Sequence, residues 1–365
     1  MQPKPNIVHL PVYQPGKPVE DVKRELGLTE VIKLASNENP FGCSPKAKEA
    51  IARELDNISI YPDGAAVELT NALAEHHGVN PDQLIFGAGS DEVILMICRA
   101  FLQPADETIM ADQTFPQYKH NVTVENAKSI EVPLKEGTHD LYAMLERVND
   151  RTKIVWVCNP NNPTGTINTA DEVEWFLSKV PSHVLVVLDE AYCEYIDDPT
   201  FPDGLKLLQK YPNVVLLRTF SKIYGLASLR IGYGIGRADV IRSINQVREP
   251  FNTSRIGQAA ALASLQDGEF IAFCREENKK GLDDFQRAFA DLGLKTFPAY
   301  GNFIMVDVQR PGQQVFEALL RKGVIVRAGH QRYPTSIRIT VGSREQNEKV
   351  IAALTAVLQE IAVKV

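Results

Sequence analysis

No apolar run in this 365-residue chain reaches the ~18 residues that would suggest a membrane-spanning helix. The N-terminal stretch MQPKPNIVHLPVYQPGKP is rich in proline and has no long apolar run, so it reads as neither a signal peptide nor a membrane anchor. Cysteine is scarce. Cys43, Cys98, Cys158, Cys193 and Cys274 are scattered, odd in number and without a CxxC pair. This disfavours a disulfide framework or a zinc site and fits free thiols in a reducing cytosol. Excess positive charge is missing too. A net charge of -7 lends no support to a nucleic-acid role, which needs clustered Lys and Arg. There is no internal repeat and no low-complexity tract. The expectation is a cytoplasmic protein that binds no metal, membrane or nucleic acid.

Hydrophobic residues make up 44% and charged residues 23%, the ordinary range for a soluble globular protein. The length suggests two domains rather than one core. The first forty residues read as an extended arm with one helical stretch near Val19–Leu26, which must lie on the body of the protein or on a neighbour. In the middle, Ile154–Cys158, Val184–Leu188 and Val214–Leu217 are short continuous runs rich in β-branched residues. Continuous rather than alternating runs mark strands covered on both faces. The stretches between them have helical spacing, as in Ala170–Lys179, and the alternation predicts a mostly parallel α/β sheet. Past about Gln258 the pattern changes. It predicts one long helical stretch over 257–292, then the strands GNFIMVDV, GVIVR and TSIRITVG, with helices around 313–322 and 344–363. This reads as a smaller α+β domain.

Ligands of open α/β sheets sit at the carboxyl ends of the strands. There the three runs deliver Asn159 to Gly165, then Asp189 to Tyr192, then Arg218 to Lys222. Upstream, Leu84–Phe86 leads into Gly87-Ala-Gly-Ser90 and a helix. Taken singly, each feature has a plain alternative: the glycines a tight turn, Asp189 a helix cap, Lys222 a solvated lysine. Together they describe one chemistry. A lysine can form a Schiff base, and an acid can keep a pyridine nitrogen protonated. Tyrosine and asparagine can bind a phenolic oxygen, and a helix N-terminus a phosphate. The set fits pyridoxal 5'-phosphate. The glycines lack both GxGxxG and GxxxxGK[ST] spacing, which disfavours a nucleotide site.

The chain resembles the fold-type I, aspartate-aminotransferase-like enzymes and, within them, the histidinol-phosphate aminotransferase subfamily. The motifs that carry the resemblance span nearly the whole chain: YQPGKPVEDVKRELG from Tyr13, KLASNENPFGCSP from Lys33, YPDG from Tyr61, GAGSDE from Gly87, PNNPTG from Pro160, LDEAY from Leu188, TFSKIYGLASLRIGY from Thr219 and SIRITVG from Ser336. The resemblance implies a seven-stranded, mostly parallel sheet in a large domain over 41–262, a small domain over 263–365, and an arm over 1–40 that joins the small domain. It implies that Lys222 carries the cofactor, Asp189 pairs with its pyridine nitrogen, and Tyr192 and Asn162 bind its phenolic oxygen. Phe115 would stack on the ring. Ser90, Asp91, Thr219, Ser221 and Arg230 would hold the phosphate, with Tyr61 supplied by the neighbour in a homodimer. Arg338 would grip the substrate carboxylate, and Arg327 with Tyr13 the phosphate of histidinol phosphate, with 2-oxoglutarate and glutamate as the other substrate pair. An aminotransferase for phenylalanine and tyrosine, or a threonine-phosphate decarboxylase, shares these motifs. A regulator that binds the cofactor without turnover would need a basic DNA-binding segment that the chain lacks. Two places depart from the subfamily pattern: Ala88, where relatives often have Asn, and the segment Ala328 to Pro334. Within that segment His330 reads as an exposed loop histidine and Arg332 as a solvated arginine.

Overall fold

A computed structural model describes residues 1–12 and 16–363. Among these described residues twelve strands follow in chain order: β1 (Ile32–Lys33), β2 (Leu84–Gly87), β3 (Glu107–Ala111), β4 (Lys128–Val132), β5 (Thr152–Cys158), β6 (Leu185–Asp189), β7 (Val214–Thr219), β8 (Gly232–Gly236), β9 (Lys295–Thr296), β10 (Phe303–Asp307), β11 (Val324–Ile325) and β12 (Ser336–Thr340). Seven of them form one sheet in the order β2-β8-β7-β6-β5-β3-β4. Only β8 runs antiparallel to its neighbours; the remaining pairs are parallel.

The continuous apolar runs owe their composition to burial on both sides. Along β5, Ile154, Trp156 and Cys158 enter one core while Val155 and Val157 enter another. The same alternation places Val187, Val215 and Leu217 on the first face and Val186, Leu188, Val214 and Leu216 on the second. Successive side chains of a strand point to opposite faces, so a strand between two helical layers has no polar side to show.

A third core lies around the three-stranded antiparallel sheet β12-β10-β9. There Ile304, Val306, Ile337 and Ile339 meet Phe285 and Phe289 of the helix Gly268–Asp291 and Val350, Leu354 and Val357 of the helix Arg344–Val363. The N-terminal part of the chain adds to this body. β1 pairs with β11 in parallel, and Val22 of the helix Val19–Leu26 packs with Ala35 and Ile325.

Two sequence expectations need correction. The single helix expected over 257–292 is two, Arg255–Leu265 and Gly268–Asp291. Between them Asp267 turns out of the first and caps the second, its side chain accepting from the Phe270 N–H. The strand expected over GVIVR is only two residues long, with Arg327 rejoining β12 through a separate bridge to Arg338. Among the described residues no helix is long and apolar enough to cross a membrane, and no cluster of His, Cys, Asp and Glu could hold a metal.

Candidate active site

The carboxyl ends of β5, β6 and β7 bring the chemistry to one edge. Asp189 closes β6 and is 3% exposed. The Tyr118 hydroxyl donates to its Oδ2 at 2.5 Å, and the Ala191 N–H to its Oδ1 at 3.2 Å. Burial nevertheless dominates and pushes the carboxyl up to about 6. A buried carboxylate so held calls for a cation beside it.

Lys222 lies in the loop after β7, with Nζ 5.6 Å from the centre of the Tyr192 ring. Burial, then the nearby Arg338 guanidinium, lower its ammonium to about 8 against the opposing pull of Asp91. Tyr192 follows Asp189 by three residues. Its hydroxyl accepts from Asn37 Nδ2 at 2.9 Å and from Asn162 Nδ2 at 3.4 Å. The carbonyl of the same Asn162 accepts from Arg338 Nη1 at 2.5 Å. Arg338 also donates to the Ala35 carbonyl at 2.6 Å and lies over the Phe303 ring at 5.3 Å. Asn162 therefore ties Tyr192 to Arg338.

Beside this group the helix Ser90–Phe101 begins after Gly89, whose φ of +79° suits glycine. A Cβ at Gly89 would lie 2.5 Å from Arg230 Nη2, and one at Gly232 would lie 2.4 Å from the Ser90 nitrogen. The two glycines thus leave room at the helix N-terminus with a guanidinium across it, a ready anion site. Arg230 donates to Ser221 Oγ at 3.3 Å and pairs with Asp91 Oδ2 at 3.3 Å. Thr219 Oγ1 accepts from the Ser221 N–H at 3.1 Å. An anion cradle, a lysine, a buried acid and a hydroxyl–amide pair fit the phosphate, aldehyde, pyridine nitrogen and phenolic oxygen of pyridoxal 5'-phosphate.

Comparison with known proteins agrees. Residues 29–354 match the family model of aminotransferase class I and II. The histidinol-phosphate aminotransferase of Brevibacillus brevis is 56% identical over 359 residues, 98% of this chain and 99% of that one. That of Bacillus subtilis is 52% identical over 360 residues, covering 98% and 100%. The chain belongs to the class I and II aminotransferases, among the histidinol-phosphate aminotransferases. The crystal structure of histidinol-phosphate aminotransferase from Sinorhizobium meliloti in complex with pyridoxal-5'-phosphate shares this fold, with a TM-score of 0.91 at 29% identity over 98% of this chain and 97% of that one.

Most of the residues expected in an aminotransferase site of this family converge. Lys222, Asp189, Tyr192, Asn162 and Arg338 form one group, and Ser90, Asp91, Thr219, Ser221 and Arg230 line the cradle. Phe115 is partly buried, edge-on to Tyr118 at 5.6 Å. Arg327 joins Arg338 by two backbone hydrogen bonds, of 3.0 and 2.8 Å. Tyr61 stands apart from both groups: its ring is exposed and stacks on Phe251 at 4.6 Å. Tyr13 lies outside the described residues. Two contributors escaped the sequence reading. Tyr118 sits one turn beyond Phe115, and Asn37 stands inside the SNENP motif without a role. One loop expectation was wrong: His330 is not exposed but 8% accessible. Arg332 is exposed, as expected, and its guanidinium also pairs with Asp112 at 2.6 Å. The loop over 328–334 is tied to residues 112 and 113, and the Arg332 N–H donates to Gln113 Oε1 at 3.2 Å.

Proposed function

We propose that the protein is a histidinol-phosphate transaminase of L-histidine biosynthesis, moving an amino group between L-histidinol phosphate and 2-oxoglutarate on pyridoxal 5'-phosphate. The observation that carries this reading is the convergence of Lys222, Asp189, Tyr192, Asn162 and Arg338 at one sheet edge, in a chain with full-length relatives of that name.

The bound cofactor supplies an electron sink for the charge left when the substrate's α-proton departs. Asp189 would hold the pyridine nitrogen protonated, offsetting the cost of its own burial. The Tyr192 hydroxyl, set by Asn37 and Asn162, would bind the phenolic oxygen. Phe115 would cover the ring. Ser90, Asp91, Thr219, Ser221 and Arg230 would hold the phosphate. Lys222 Nζ would hold the cofactor and, when free, would carry the proton from the substrate's Cα. Its lowered pKa of about 8 leaves a usable fraction neutral near physiological pH. Arg338 grips the carboxylate of glutamate. Arg327, with Tyr13, reads the phosphate ester. A planar fork pairs with either anion, which lets one pocket serve both substrates. Two half-reactions in one site imply ping-pong kinetics.

The protein works as a cytoplasmic homodimer in this reading, with Tyr61 reaching the neighbour's phosphate site. Exposed Leu55, Ile58, Ile60 and Tyr61 form an apolar stretch that a partner would cover. The chain divides into the arm 1–40, a cofactor domain 41–262 and a small domain 263–365. A fully active monomer on dilution would contradict the dimer.

The decisive experiment is an absorption spectrum of the cofactor-loaded protein. The visible band of the lysine-bound cofactor should bleach with L-histidinol phosphate and return with 2-oxoglutarate. Bleaching by phenylalanine or tyrosine alone would point to an aromatic aminotransferase. A band and turnover that survive Lys222→Ala would refute the role of Lys222.

A further inference from the structure

Asn161 is fully buried, and its side-chain amide joins the approach to Phe115 to the approach to Asn162. β3 and β5 are parallel neighbours, so the loops that follow them leave the sheet at one edge. The first loop carries Gln113, Thr114 and Phe115, the second Asn161 and Asn162. Asn161 Nδ2 donates to the Gln113 carbonyl at 3.2 Å and to Thr164 Oγ1 at 2.8 Å. The Gln113 carbonyl can only accept, which fixes the orientation of the amide. Its Oδ1 accepts from Thr114 Oγ1 at 2.8 Å and from His139 Nε2 at 3.1 Å. The backbone is held as well. The Asn161 N–H donates to the Thr166 carbonyl, and the Asn161 carbonyl accepts from the Gly165 N–H, both at 2.8 Å.

His139 supports this amide from a third segment. It is buried just ahead of Asp140, which caps the helix Leu141–Glu146. The amide oxygen can only accept, so the hydrogen in the bond belongs to Nε2. Burial lowers the imidazole to about 4, so the ring is neutral with its one hydrogen on Nε2. The segment around His139 is also tied to the loop after β5. The Gly137 carbonyl accepts from Thr164 Oγ1 and Thr166 Oγ1, each at 2.7 Å, and the His139 carbonyl from Asn168 Nδ2 at 3.0 Å. The Asn161 amide thus donates two bonds and accepts two. A buried polar group satisfied in full holds one arrangement, whereas one left short is costly.

We propose that Asn161, held by His139, is a positioning residue for amino transfer: it keeps the Phe115 ring and the Asn162 amide in one fixed arrangement around the cofactor. This rests on the reading of Phe115 as the ring that covers the cofactor and of Asn162 as a ligand of its phenolic oxygen. Phe115 follows Thr114, and Asn162 follows Asn161. Slack in the one amide therefore reaches both groups, each through a single peptide unit. A misplacement of about 1 Å at such groups can cost about a hundredfold in rate.

The test compares His139→Leu, His139→Gln and Thr114→Val with the wild type as cofactor-loaded enzyme. It reads kcat with L-histidinol phosphate and 2-oxoglutarate, and the circular dichroism of the visible cofactor band. His139→Leu and Thr114→Val each take one donor from Asn161 Oδ1. In both, kcat per bound cofactor should fall about tenfold and the dichroic band should change in size. His139→Gln can keep an N–H where Nε2 stands, and should bring kcat back to within about threefold of wild type, with the wild-type band. Leu and Val variants that unfold at lower temperature but keep wild-type kcat and band would overturn the inference and leave the transaminase reading intact. A Gln variant as impaired as the Leu variant would overturn it too. If His139→Leu takes up no cofactor, Thr114→Val decides by the same two readouts. Wild-type enzyme inert toward histidinol phosphate would bring down both the inference and the reading it rests on.

Discussion

Tyr118 donates its hydroxyl proton to Oδ2 of Asp189 across 2.5 Å, beneath a ring stacked on Trp156 at 4.9 Å. The bond opposes the upward push of burial on the Asp189 carboxyl. Tyr118→Phe removes this donor and leaves the carboxylate one bond short in a dry site. Turnover should fall by about tenfold, in line with one hydrogen bond to a charged group. The acid limb of the pH–rate profile should also move upward. A rate profile indistinguishable from wild type would mean that Tyr118 only fills space.

The pH dependence of the empty protein follows from the same carboxyl. Folded Asp189 titrates at about 6 against an ordinary 3.8. Between those values the native state holds a proton that the unfolded chain has lost, so this group lowers stability as pH rises through the window. Asp189→Asn should remove that slope in thermal unfolding of the cofactor-free protein. Cofactor affinity should show the opposite sign. It should weaken in the wild type as pH falls through about 6 and Asp189 loses its charge. In the Asn variant it should be weaker throughout and lose that inflection. Parallel curves for the two proteins would argue against an Asp189–pyridine pairing.

Arg338 is 8% exposed and shares Asn162 with Tyr192. Arg338→Ala therefore removes an anion contact and loosens the amide that orients the Tyr192 hydroxyl. Both half-reactions should slow, on the order of tenfold to a hundredfold, measured by single-turnover bleaching and recovery. Unchanged turnover with glutamate would exclude Arg338 from carboxylate binding.

Directly after Asp189, Glu190 Oε2 accepts from Arg218 Nε and Nη2 at 2.9 and 2.8 Å. Glu190 is 2% exposed, and burial raises its carboxyl and that of nearby Glu194, which reaches about 7. Arg218 lowers both. Arg218→Leu strands the two carboxyls and should cost about 3–5 kcal/mol in chemical unfolding. The pair Arg218→Leu with Glu190→Leu should cost less than the single change. Equal stabilities for single variant and wild type would show the fork to be dispensable.

Much of the site was legible because its chemistry follows directly on its strands. Ile154–Cys158, Val184–Leu188 and Val214–Leu217 announce themselves as doubly covered strands, and the residues after them are Asn162, Asp189, Tyr192 and Lys222. Parallel strands present their carboxyl ends on one edge, so a linear reading was enough to gather these four. Strand β8 was harder to see, for Gly232, Gly234 and Gly236 leave it little apolar character. They are small because Ser90, Ile85 and Val215 crowd them.

Contacts between distant segments were not legible. Asn37 and Tyr192 meet across 155 residues, and nothing local to either names the other. Tyr118 looked like one more aromatic on a helix until the fold put Asp189 against it. His330 was misjudged for the same reason. The sequence determined which chemical groups the chain carries and which strand ends deliver them, since propensity, periodicity and order along the chain are local properties. The tertiary structure alone decided which side chains lose water and which charges face them. Burial belongs to the elements that close over a residue, and only the folded chain brings those elements together.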